Sequence, residues 1–257
     1  MHRAEALLAI PAATGLCFNY KRQKDLKQRL QVRRTGHRLQ GEAADDPAIL
    51  SSSFEVMEAV AQACMEAWCE SEGFPTEAAR SHFGDFSFGE SLQLEDDGAG
   101  AAGKGKSVLN LYHYFNEETC LEEPCRQHAD PGLVTVLCRS STTGLEVRLP
   151  LKPGGAPGIH ATYQEEWQDV EEVMDQCAQD AGATGRGVEG SEVFCFLVIV
   201  GETLERLSAG RHPACLHRVA RPRRTAAQPR FNMAFELRPR CNVWHPWQQV
   251  LATGATA

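Results

Sequence analysis

The sequence has no apolar run of about 18 or more residues, so it offers no candidate transmembrane helix and no membrane partner. It has no Cys-x-x-Cys. The ten cysteines are scattered, and the closest pairs, Cys64/Cys69 and Cys120/Cys125, each have four residues between them. A zinc ribbon or finger is therefore disfavoured. Without a clear secretory signal, the thiols read as reduced ones in a cytoplasmic compartment. There is no internal repeat, and the first 40 residues contain neither a phosphate-loop pattern nor an Asn-x-Ser/Thr site.

What is present is a chain of 257 residues with ordinary globular composition, 42% hydrophobic and 23% charged. That length is ample for one domain with a substantial core. The net charge of −8 is uneven: residues 1–40 carry +7, which leaves −15 on the remainder. Nucleic-acid binding by the body of the chain is thereby disfavoured. Residues 1–50 read as a basic N-terminal arm, either solvated and partly helical or, being Arg-rich and acid-poor, an organellar targeting segment.

Ser51-Ser52-Ser53 provides N-cap candidates for a helix running to about Ser71. Phe54, Met57, Val60, Ala61, Cys64, Met65 and Trp68 recur at three and four, which predicts one buried face, and Gly73 and Pro75 end it. Asp96 to Lys106 reads as a flexible loop. Residues 51–107 are thus a helical region followed by a loop. After it come short runs of strand character: Val108–Phe115, Val134–Leu137, Leu145–Leu149, Val193–Val200, Cys215–Ala220 and Arg230–Leu237. Gly201 to Leu207 suggests a brief helical turn. The Gly/Ala-rich stretch from 171 to 190 reads as a mobile insertion. A half-chain of about seven short strands predicts a sandwich or barrel over residues 108–240, mainly β, with helices packed outside and residues 241–257 as a tail.

The chemistry concentrates in Cys125-Arg126-Gln127-His128-Ala129-Asp130-Pro131-Gly132. If the strand includes both, His128 and Asp130 share a face, because strand side chains alternate. An imidazole and a carboxylate make two-thirds of the 2-His-1-carboxylate set that holds non-haem Fe(II) on one side and leaves positions open. His217, in Leu216-His217-Arg218-Val219, is the best third candidate. Alone, His-x-Asp is a weak signal and reads more readily as a surface pair before the Pro131-Gly132 turn. Arg230 to Leu237 alternates cleanly, so that Arg230 and Asn232 share one face. An arginine and an amide so placed suit a carboxylate, or else a polar outer face.

Seven blocks in order resemble the isopenicillin N synthase-like family of Fe(II)/2-oxoglutarate dioxygenases. They are Leu111 to Phe115, His128 to Thr135, Gly144 to Val147, Trp167 to Val170, Val200 to Gly210, Leu216 to Val219, and Arg230 to Asn232. The resemblance implies a double-stranded β-helix (jelly roll) with the metal between its sheets. It implies His128, Asp130 and His217 as iron ligands. It implies Arg230 and Asn232, with Tyr114 ahead of the triad, as the residues that bind 2-oxoglutarate. Asn232 stands where the family usually has Ser. The implied partners are a small-molecule substrate and oxygen, with ascorbate as a possible auxiliary reductant and a monomeric chain. Two other readings use the same residues: a zinc hydrolase on the same three ligands, and a jelly-roll binding module without turnover.

Overall fold

The computed structural model describes residues 16–23, 26–34, 45–74, 107–116, 123–152, 162–183, 195–220 and 228–239. In chain order the elements are β1 (Leu16–Gln23), β2 (Lys27–Arg34), α1 (Asp45–Ser71), β3 (Val108–Tyr114), β4 (Cys125–His128), β5 (Val134–Cys138), β6 (Leu145–Arg148), β7 (Pro150–Lys152), β8 (Thr162–Tyr163), β9 (Gln168–Asp169), α2 (Val170–Ala183), β10 (Phe196–Val200), α3 (Glu202–Leu207), β11 (Leu216–Val219) and β12 (Arg230–Leu237). The expected loop at 96–106 and the tail at 241–257 lie outside the described residues.

Six strands form the larger sheet in the order β1-β2-β3-β12-β5-β10, and four form the smaller in the order β4-β11-β6-β9. The neighbouring strands pair antiparallel. Period-two alternation gives the larger sheet two unlike faces. Phe235 and Leu237 of β12, Leu109 of β3 and Val136 of β5 point towards α1, where Phe54, Met57, Ala61, Met65 and Trp68 form a continuous buried stripe. Phe54 meets Phe235 edge-on, with ring centroids 5.0 Å apart. The opposite face carries Tyr114, Leu137, Ile199 and Ala234 onto Leu145 and Val219 of the smaller sheet. Two facing antiparallel sheets with a helix outside the larger one are the jelly roll that the sequence leads one to expect.

Helix α1 starts at Asp45, six residues before the expected serine cap, so Ser51 to Ser53 lie inside it. Pro47 sits in its first turn, where the missing N–H has no carbonyl to serve. The predicted end holds. Gly73 adopts φ 76° and the Phe74 N–H reaches back to the Cys69 carbonyl at 2.8 Å, which closes the last turn.

Two expectations are corrected. The supposed solvated, partly helical arm is in part a hairpin: β1 pairs β2, and β2 pairs β3 from Lys27↔Tyr114 to Val32↔Leu109. Leu30 and Val32 face α1, while the alternate positions are Lys27, Arg29, Gln31 and Arg33. The basic residues that suggested a solvated arm are one face of a strand. Likewise, the start of the supposed mobile insertion is α2. Val170, Glu171 and Met174 are buried, and only the outer face, including Val173, is exposed. Three inward residues fix a helix whose small and polar composition otherwise suggests disorder.

Candidate metal centre

His128 ends β4, Asp130 follows two residues later, and His217 lies in the middle of β11. The strands β4 and β11 pair with His217 directly opposite His128, and the register shifts just beyond, before Val219↔Cys125. The pairing brings the two rings to a centroid distance of 4.3 Å. Asp130 Oδ1 stands 3.6 Å from His128 Nε2 and 3.8 Å from His217 Nε2. One donor atom from each residue lies within 4.8 Å of the others, so all three predicted ligands converge. Cis ligands of a first-row metal, each about 2.1 Å from the ion, sit about 3 Å apart. The set is slightly open and closes on a cation with small side-chain rotations.

The surrounding contacts orient each donor. His217 Nδ1 lies 3.1 Å from the Cys215 carbonyl and His128 Nδ1 lies 2.9 Å from the Arg126 carbonyl. A carbonyl can only accept, so each Nδ1 carries the proton and each Nε2 keeps a lone pair for a metal. Thr135 Oγ1 donates to Asp130 Oδ2 at 2.6 Å, leaving Oδ1 to the histidines. Thr135 was not singled out from the sequence; the lone hydroxyl in the run Val134 to Leu137 is the signal that could have found it.

Backbone packing fixes the Asp130 loop. The N–H groups of Gly201, Glu202 and Thr203 donate to the carbonyls of Leu133, Asp130 and Gly132 at 2.8, 2.8 and 3.0 Å. A Cβ on Gly201 would meet the Gly132 carbonyl oxygen at 2.3 Å, so only glycine permits the approach. His128 is the exposed ligand, with 42% of its side-chain surface accessible against 7% for His217, and so marks the open side of the centre. Burial pushes the His217 pKa down, with the Asp130 charge pulling the other way. Contact with the Cys125 thiol pushes His128 up to about 9 in the metal-free protein, against the effect of burial. His212, five residues before His217, is turned away onto Glu72 at 3.1 Å.

Arg230, Asn232 and Tyr114 all face the second sheet and are all buried. Arg230 Cζ lies 5.4 Å from the centre of the Tyr114 ring. The guanidinium already holds a carboxylate. Its Nη2 donates to Glu171 Oε1 at 2.8 Å and to Ser140 Oγ at 2.7 Å. Glu171 accepts further from the Ser140 hydroxyl and from the backbone N–H groups of Gly144 and Leu145, at 3.2 and 3.0 Å for the latter two. Nε and Nη1 of Arg230 and Oδ1 of Asn232 are buried without a hydrogen-bond partner among the described residues. Glu171 has no distinguishing mark in the sequence, being one of two adjacent glutamates at the start of a helix.

No protein-family model matches the chain, and no curated protein does. Solved structures do. A full-length Neurospora crassa protein in complex with alpha-KG superposes with TM-score 0.53 at 19% identity, covering 85% of this chain and 56% of that one. A putative oxygenase from Shewanella oneidensis gives 0.52 at 18% identity, over 99% and 84%. JOX2, in complex with 2OG, Fe and JA, gives 0.51 at 14% identity, over 94% and 62%. The chain therefore spans less than two thirds of the length of the Neurospora protein and of JOX2. Facing antiparallel sheets, together with these superpositions, give the chain the jelly-roll fold that these solved structures share, and on it His128, Asp130 and His217 converge.

Proposed function

We propose that the chain is an Fe(II)- and 2-oxoglutarate-dependent dioxygenase acting on a small organic substrate, with hydroxylation as the default outcome. The observation that carries this is the convergence of His128, Asp130 and His217, each oriented by a hydrogen bond on its far side. The two Nε2 atoms and Asp130 Oδ1 would hold the metal. Two neutral imidazoles and one carboxylate suit a divalent iron and leave further positions free. Bound there, iron with 2-oxoglutarate would supply the oxidant, as 2-oxoglutarate, O₂ and R–H are converted to succinate, CO₂ and R–OH.

The protein's part is orientation. Arg230 would bind the distal carboxylate of 2-oxoglutarate, assisted by Asn232 and Tyr114. The unpartnered Nε and Nη1 of Arg230 are the donors that a carboxylate would satisfy. Glu171 shows the preference of this guanidinium for such a group, and it occupies Nη2. The same pairing favours a second reading, a jelly roll that binds metal but does not turn over 2-oxoglutarate because an internal carboxylate fills its anchor.

The test is succinate formation by the full chain supplied with Fe(II), 2-oxoglutarate, oxygen and ascorbate, alongside His217→Ala. Succinate above the metal-free background, lost in the variant, is the expected result. Stoichiometric iron binding without succinate across a broad substrate panel would leave the second reading standing. A zinc hydrolase would instead retain zinc and show no oxygen uptake.

A further inference from the structure

Strand β2 brings two cations to the metal side of the larger sheet. Lys27 pairs in register with Tyr114 and Arg29 with Tyr112, so their side chains share the face that carries Arg230 and Asn232. Lys27 Nζ lies 5.5 Å from the centre of the Tyr114 ring and 5.9 Å from that of Tyr112, and the two rings stack with centroids 5.7 Å apart. Arg230 also lies against Tyr114. The rings thus separate one cation already matched by Glu171 from two others. The centre is close at hand. Burial pushes the Tyr112 and Tyr114 pKa values up, with the nearby Asp130 charge adding to the rise and Arg29 opposing it at Tyr112.

Lys27 and Arg29, like Arg126 and Arg148 of the smaller sheet, have no carboxylate partner among the described residues, but they alone of these four lie on the larger sheet in register with Tyr114 and Tyr112. Glu171 pairs with Arg230, Glu236 with Arg238, and Glu146 with Arg218. In a chain of 34 acidic against 26 basic residues, acids are not scarce. Both cations are partly withdrawn from water. Partly desolvated cations beside aromatic rings gain from an arriving anion, and an arginine fork can hold a carboxylate at two points. The backbone N–H groups of β2 are engaged between β1 and β3, so the wall offers side-chain donors rather than the backbone nest typical of phosphate sites.

We propose that Lys27 and Arg29 are specificity-determining residues that select a small organic acid as the prime substrate and hold its carboxylate on the open side of the metal centre. This rests on the dioxygenase reading for the word substrate, but the anion wall exists without the metal. The experiment titrates phenylacetate and hexanoate, their methyl esters, and phenyl phosphate into the full chain by calorimetry. One series is loaded with Zn(II) and 2-oxoglutarate, and the other is metal-free. At least one acid should bind tenfold or more tightly than its ester and than phenyl phosphate. Lys27→Gln/Arg29→Gln should erase that preference without altering the dissociation constant for 2-oxoglutarate, while Lys27→Arg should keep most of it. The proposal is overturned if no acid binds, if esters or the phosphate bind as well as acids, or if the double variant weakens 2-oxoglutarate instead. Acid preference in the metal-free series, with no succinate from the iron-loaded chain, would keep the anion wall and sink only the dioxygenase reading.

Discussion

Arg230 Nη2 lies 2.8 Å from Glu171 Oε1, and both residues are sealed from solvent, at 0% and 1% exposure. A helix inserted between β9 and β10 thus delivers a carboxylate to the arginine expected to anchor the cosubstrate. Removing one partner of a buried pair strands the other, at a cost of about 3–5 kcal/mol. Glu171→Ala should therefore melt at least about 6 °C below the parent, given about 2–4 °C per kcal/mol for a domain of this size. 2-Oxoglutarate should raise the melting temperature of the variant more than that of the parent, because the ligand replaces the missing carboxylate. Equal shifts in both proteins would mean that 2-oxoglutarate does not reach Arg230.

Thr135→Val keeps the shape of the β5 side chain but deletes the hydroxyl that turns Asp130. Loss of such a supporting contact weakens metal binding by about 10–100-fold. A Co(II) titration followed by its visible spectrum measures this directly, and circular dichroism checks that the fold persists. Unchanged affinity would show that Asp130 is oriented by its backbone alone.

His217→Ala should lose bound iron and, with it, any 2-oxoglutarate-dependent succinate, because two protein ligands neither hold nor shape the ion adequately. Iron content by plasma emission and succinate by chromatography give independent readings. Retention of both would remove His217 from the centre.

Gly201→Ala places a methyl group where the Gly132 carbonyl oxygen would be 2.3 Å away. Something must shift, and what shifts carries Asp130. Stability and iron affinity should fall together, while Gly73→Ala, which meets nothing within 4 Å but sits at positive φ, should lower stability without touching iron affinity. Iron affinity that survives Gly201→Ala would uncouple the α3 contact from the centre.

The jelly roll was legible because its central strands are short apolar or alternating runs, and the three metal-ligand candidates because His-x-Asp precedes one such run. Two features were hidden. In β2 every second side chain is polar and mostly basic, so an alternating strand looks like a charged arm until a partner sheet gives that face a purpose. In α2 the buried residues are Val170, Glu171 and Met174, too few to produce a strong periodicity. Its anchor is an ion pair with a residue 59 positions away, which local pattern cannot reveal. Thr135 and Gly201 belong to the same class, because their roles lie in contacts across the chain.

Strand β4 is four residues long, mostly exposed, and among the described residues has a neighbour only on the β11 side. Unpaired strand edges of this kind open readily and can recruit foreign strands. Because His128 and His217 face each other across that one seam, an ion held between them would act as a clasp on the margin of the smaller sheet. Amide hydrogen exchange at Arg126 to His128 would then slow on metal loading. The edge that is easiest to peel away would become the gauge of whether the centre is filled.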